Sequence, residues 1–168
     1  MAVREILRFP DARLKQVAAP LGPDDAALAQ RLAGDLVDTM HAHPGCVGLA
    51  ATQLGELVRM VVVDVTGHPR AASSNGELLL VNPEIVGAEG SKVGREGCLS
   101  IPDLTANVRR AISVSVVAVS SDGVDVLVES TGFEARCLQH ELDHLDGVLF
   151  LDRVESLRDD VFRRQRYR

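Results

Sequence analysis

Positive charge is in deficit: 18 lysines and arginines face 24 aspartates and glutamates over 168 residues, a formal net charge of −6. That balance argues against a chain built to coat DNA, RNA or an anionic membrane, all of which call for clustered cations. Cysteine is scarce as well, with Cys46, Cys98 and Cys137 alone. An odd count, without a signal-like N-terminus, argues against a disulfide framework and for a reducing compartment, the cytoplasm. No apolar run approaches the roughly 20 residues needed to cross a bilayer. Internal repeats and low-complexity tracts are missing too. What remains, 46% apolar by composition, is long enough for one proper core, and residues 1–168 read as a single domain.

The stretch that stands out is Gln139-His140-Glu141-Leu142-Asp143-His144, inside a segment from Gly132 to Leu145. His140 and His144 are four apart, so on a helix both imidazoles leave one face and can close on a single metal ion. Glu141 then stands where a carboxylate could take a proton from a water on that metal, as the HExxH pattern requires. The same letters also fit a helix whose histidines are merely packed and hydrogen-bonded. Burial pattern favours the metal. Leu138, Leu142 and Leu145 form an apolar stripe, while Cys137, His140, Glu141 and His144 share another face. Polar groups in so apolar a helix are costly unless bonded or coordinated. Thr131-Gly132 marks its start and Asp146-Gly147 a left-handed stop.

A catalytic site needs a third ligand. Cys98 lies in Arg95-Glu96-Gly97-Cys98-Leu99-Ser100-Ile101-Pro102, which reads as an irregular loop presenting the sulfur. Cys137, one turn before His140, reads more easily as core packing. One cysteine and two histidines with an open position describe a catalytic site, whereas a structural zinc site would take a fourth protein ligand. His41 and His43 have no matching carboxylate or cysteine near them in the sequence and read as solvated helix-end residues.

Three motifs now stand in order: Gly48-Leu49-Ala50-Ala51-Thr52-Gln53, Glu96-Gly97-Cys98-Leu99-Ser100 and Gln139-His140-Glu141-Leu142-Asp143-His144. Together with Ile6-Leu7-Arg8-Phe9-Pro10-Asp11 they make the chain resemble the peptide deformylases over nearly its whole length. The resemblance implies a hydrolase that takes the formyl group from the initiator methionine of new polypeptides. It implies one divalent ion per chain, ferrous iron as the usual native metal with zinc possible, held by Cys98, His140 and His144. It further implies Glu141 as general base, and the Gln53 amide with the Leu99 backbone N–H as oxyanion donors. Val47, Gly48 and Gly97 would then line the substrate strand, and Phe133, Cys137 and the Leu99 side chain the methionine pocket. Glu96 and Arg110 read as structural anchors. Departures from the family pattern are Cys46 for the usual glycine, Thr105 for an arginine that holds the peptide, and Glu134 and Arg136 for apolar residues; all four bear on substrate preference. A deformylase-like paralogue of altered specificity, a zinc metallopeptidase and a non-catalytic metal protein remain as alternatives.

Elsewhere the chain opens on an extended arm, Ala2 to Leu21, with Pro10 and Pro20. Asp24 or Asp25 caps a helix to about His41, with Leu28, Leu32, Leu36 and Met40 on one stripe. Strands are expected over Val58–Val65, Leu78–Val81, Glu84–Val86, and over Ser113–Val119 paired with Val124–Glu129 through an Asp-Gly turn. Gly67 to Gly76 reads as a polar loop. The fold class is therefore α+β, with mostly antiparallel sheets wrapped around the HExxH helix of the C-terminal half. Arg163, Arg164, Arg166 and Arg168 end the chain. They read as a solvated helix end, with transient contact to ribosomal phosphate as the sharper alternative.

Overall fold

In the computed structural model, which describes residues 2–165, the chain forms two α-helices and eight strands. In order they are α1 (Ala26–Ala42), β1 (Gly48–Ala50), β2 (Met60–Val63), β3 (Leu78–Glu89), β4 (Lys92–Cys98), β5 (Ile101–Arg110), β6 (Ser113–Ser120), β7 (Asp125–Thr131), α2 (Gly132–Leu145) and β8 (Val161–Arg163). All pairings between strands are antiparallel. One sheet runs β1-β2-β3-β6-β7 and the other β4-β5-β8.

The Met60–Val63 run explains the layering. Successive side chains in a strand point to opposite faces. Val61 and Val63 accordingly pack with Leu138, Leu142 and Leu145 of α2, and Met60 and Val62 with Leu32, Leu36 and Met40 of α1. The five-stranded sheet is thus held between the two helices. Burying three leucines contributes roughly 1.5–3 kcal/mol apiece, so the apolar stripe anchors α2 without help from a ligand. Its opposite face meets the second sheet: Arg136 donates to the carbonyls of Val108 and Lys92 at 2.8 and 2.7 Å. A third cluster, with Leu14, Cys98, Val108 and Phe150, closes the far side.

The start and stop of α2 are as expected: Thr131 is its N-cap, Asp146 its C-cap, and Gly147 takes φ 70°. Gly147 is also where the N-terminal arm crosses, since a Cβ there would lie 2.6 Å from the Lys15 carbonyl oxygen. That arm wraps the domain, with Leu7 N–H bonded to the Gln53 carbonyl, Phe9 N–H to that of Ser100 and Ala18 N–H to that of Leu145. The β6–β7 hairpin turns at Gly123, φ 77°. The two runs around Pro83 form one strand with a register shift at Asn82-Pro83, where Asn82 takes φ 49° and its side chain bonds both backbone groups of Leu21.

Two expectations are corrected. Arg95 to Pro102 is not an irregular loop: β4 ends at Cys98, Leu99-Ser100 turns, and β5 begins at Ile101. Lys92 to Gly97 lacks β-branched density apart from Val93, and is extended because β5 pairs with it over its whole length, with a register shift at Gly97/Cys98. The C-terminal tail is not a helix end either. Val161–Arg163 pairs with Leu104–Ala106 of β5, and the Arg164 N–H reaches the Asp103 carbonyl. Arg166 and Arg168 lie outside the described residues.

Candidate metal and catalytic site

The site forms where the polar face of α2 meets the end of β4. Cys98 Sγ lies 3.3 Å from His144 Nε2, and the donor atoms of Cys98, His140 and His144 all lie within 4.8 Å of one another. The two imidazoles stand edge to face, centroids 5.0 Å apart. Ligands of one tetrahedral ion, with sulfur at about 2.3 Å and nitrogen at about 2.0 Å from it, sit about 3.6 Å apart. The Cys98–His144 spacing is close to that.

His140 is oriented by a second group. Glu96 Oε2 accepts a hydrogen bond from His140 Nδ1 at 2.9 Å, which leaves the Nε2 lone pair for a metal. Glu96 is in turn gripped by Arg110 at 2.9 and 3.0 Å and by Arg136 at 2.8 Å. Arg110 also pairs with Asp143 of α2, which Arg153 holds from the other side at 2.7 Å. The anchoring expected of Glu96 and Arg110 is therefore present. Arg136 belongs to the same ladder.

Burial works against charge on Cys98, yet His144 and His140 outweigh it and hold the thiol well below its ordinary range. Burial likewise opposes charge on His140, but Cys98 and Glu96 hold it well above that of a free imidazole. Burial also penalises a charged Glu96, but His140 and Arg110 bring its carboxyl below the usual range. For Glu141 burial dominates. Its pKa rises to about 6 despite the two histidines, with Cys98 and Glu96 adding to the rise. Glu141 Oε2 and His144 Nδ1 are the buried side-chain atoms without a hydrogen-bond partner among the described residues. A thiolate-prone sulfur, a pair of imidazoles of which Glu96 braces one, and an uncompensated carboxylate oxygen fit a divalent cation with a water beside it.

The Gly48-to-Gln53 segment runs against this cluster. A Cβ at Gly48 would sit 2.7 Å from Glu141 Oε1, so only glycine lets this strand pass the carboxylate. Ala50 N–H fixes Gln53 Oε1 at 3.0 Å. That turns the amide nitrogen toward Ser100 Oγ, 3.0 Å, and Cys98 Sγ, 3.4 Å.

A cleft of about 240 Å³ opens here, and Gln53, Glu141, Leu99, Val47, Gly48, Gly97, Phe133, Cys137, Cys98 and His140 all line it. His144 lies behind, 1% exposed. Cys46 lines the cleft too, its thiol donating to the Gly48 carbonyl at 3.2 Å. Burial, with Glu141 adding, pushes that thiol up to about 12. Glu134, expected at the substrate side, instead points away, accepting from Asn75 and Ser130 at 2.7 Å. Thr105 is not in the lining; it sits across from Gly97.

Sequence reasoning missed His68, Arg70, Arg95 and Arg164, which line the cleft with Pro44, Gly45, Glu96 and Arg136. His68 stacks on Phe133, centroids 4.4 Å apart, and nothing local in the loop announces this. It also expected no carboxylate near His41. The fold brings Glu77 to 3.1 Å from it and Asp64 close by, from strand ends far along the chain. His43 bonds the Thr39 carbonyl, as a helix-end histidine does.

The family model described as "Polypeptide deformylase" matches residues 3–160. The peptide deformylase of Xylella fastidiosa strain M12 is 42% identical over 167 residues, 98% of this chain and 95% of that one. Among solved structures, a peptide deformylase from Legionella pneumophila superposes with TM-score 0.83 at 41% identity, covering 93% of this chain and 88% of the other. A peptide deformylase of Acinetobacter baumannii with Met-Ala-Ser bound gives TM-score 0.84 at 34% identity, covering 91% and 99%.

Proposed function

The chain belongs to the peptide deformylase family, metal-dependent hydrolases that remove the N-formyl group from nascent polypeptides, and from that premise we propose how its own residues divide the work. Residues 1–168 act as one catalytic domain. Cys98, His140 and His144 hold one divalent ion, ferrous iron natively, with zinc an acceptable substitute for the same sulfur and nitrogen donors. When bound, such an ion would supply a Lewis acid able to lower the pKa of a water and polarise a carbonyl oxygen.

Glu141 takes the proton of the attacking water and returns it to the departing amine, leaving formate. The support is its place beside His140, its free Oε2 and a pKa raised to about 6, near the operating range of a general base. Gln53 Nε2 and the Leu99 N–H stabilise the oxyanion, and losing one such donor costs about 10²–10³ in rate. Phe133, Cys137 and Leu99 receive the methionine side chain, and the backbone at Val47, Gly48 and Gly97 flanks the peptide. The bound Met-Ala-Ser of the Acinetobacter relative is the kind of product such a cleft releases.

The observation that carries this reading is the convergence of three ligand atoms within 4.8 Å beside a buried, unpartnered carboxylate oxygen. Formylated and unformylated methionyl peptides test it, with formate release and peptide-bond cleavage both followed under anaerobic conditions. Formate is expected from the formylated peptide alone, and Glu141→Gln should keep the metal while losing about 10²–10⁴ in turnover. Peptide-bond cleavage without formate would favour a metallopeptidase. The setting is the cytoplasm, where no membrane helix is called for; among the described residues none is long and apolar enough to span one. With a net charge of −6 no DNA partner is assigned, and of the C-terminal arginines Arg164, which lines the cleft, is assigned to it in preference to the ribosome.

A further inference from the structure

Arg70, Arg95 and Arg164 stand at the mouth of the cleft, all exposed. Arg70 and Arg95 are held by aromatic rings and neutral acceptors rather than by carboxylates. Arg70 lies over the Phe133 ring, 4.5 Å from its centroid, and donates to the Arg95 carbonyl at 3.1 Å. Arg95 lies over Phe162 at 3.5 Å and reaches Thr105 Oγ1 at 3.4 Å. Arg164 directly follows the strand that pairs with β5, its N–H bonded to the Asp103 carbonyl. Its guanidinium occupies the space above Gly97, where a Cβ would come within 2.0 Å of Nη2. Gly97 directly precedes Cys98, so this cation lies one residue from the reacting centre.

Among the described residues none of the three enters an ion pair. Nearby Glu96 is already bound by Arg110, Arg136 and His140. A chain of net charge −6 has thus gathered three uncompensated guanidiniums at one opening. Such forks suit carboxylates in two-point contact, and a cleft with low-dielectric walls concentrates their field. We infer that Arg70, Arg95 and Arg164 form an anion-reading rim that favours formylmethionyl peptides bearing a carboxylate side chain shortly after the methionine. The inference rests on the deformylase reading, and it assigns to β8 a part in substrate choice.

Formylmethionyl tetrapeptide amides that differ only in glutamate, glutamine or lysine at the third residue test it on the metal-loaded enzyme. At low salt the glutamate peptide should exceed the lysine peptide about tenfold in kcat/KM, the difference lying in KM. The ratio should fall toward one at about 0.5 M salt, in Arg164→Gln, and in Arg95→Gln combined with Arg164→Gln. Both peptides meet the same preparation, so partial unfolding of a variant cancels in the ratio. A ratio near or below one in the unaltered enzyme would overturn the rim, as would a preference that survives the double substitution. Formate from none of the three peptides would sink the deformylase reading instead. Calorimetric binding of the three unformylated peptides then still decides the rim, with affinity expected in the order glutamate, glutamine, lysine, and equal affinities overturning it.

Discussion

Cys98, His140 and His144 gather three ligand-type atoms within 4.8 Å, and so do His41, Asp64 and Glu77. The first set is buried and the second lies at the surface, with His41 and Glu77 side chains 58% and 39% exposed. In the first, Glu96, Arg110 and Arg136 brace a ligand and its brace in turn. In the second, the one orienting bond among the described residues is Thr66 N–H to Asp64 Oδ1 at 2.8 Å, and His41 meets Glu77 as an ordinary surface pair. Ligand composition alone does not distinguish a metal centre from a chance meeting of side chains. Desolvation does, because a buried set left without a cation keeps its penalty, while an exposed set is satisfied by water.

The comparison can be broken or sharpened by substitution. The largest effect should come from Cys98→Ala or His144→Ala: metal content measured after dialysis should fall from one ion per chain to none, and formate release with it. Next, Glu96→Gln should weaken the metal by about 10–100-fold in competition with a chelator while leaving the ligands themselves in place. Unchanged affinity would mean that the brace is packing only.

A smaller effect concerns the metal-free protein. A carboxyl whose pKa is raised on folding is most favourable below its unfolded value, near 4.5, and costs stability as pH rises from there through about 6. Metal-free Glu141→Gln should therefore be more stable than the unaltered chain by about 2 kcal/mol at pH 8, and no more stable at about pH 4. Urea unfolding at the two pH values checks both halves. The smallest effect is expected at the surface set, where His41→Ala should change stability by less than about 0.5 kcal/mol and leave metal content untouched. A lost ion in that variant would erase the contrast drawn here.

What could be read in advance divides along the same line. His140, Glu141 and His144 sit on one helix, and helical periodicity is local, so their shared face and the Leu138–Leu142–Leu145 stripe were legible from spacing. The Asp-Gly hairpin and the α1 stripe were legible for the same reason. Cys98 could be named, but its setting was misread, because Gly97 and Pro102 flank it as they would a loop. Only the pairing of β4 with β5 makes that segment extended. Glu134 was misplaced because residues two apart on a helix face different surroundings, and only packing decides which.

By itself, then, the sequence determined an α+β chain, a helix that sets two histidines and a glutamate on one face as candidate ligands and base, and the order of three motifs, since these depend on neighbours a few residues apart. Tertiary structure alone decided the Glu96–Arg110–Arg136 ladder, the approach of Gly48 to Glu141, and the arrival of Arg164 above Gly97. Each joins segments separated by tens of residues, and no periodicity along a chain records which distant strands will pair.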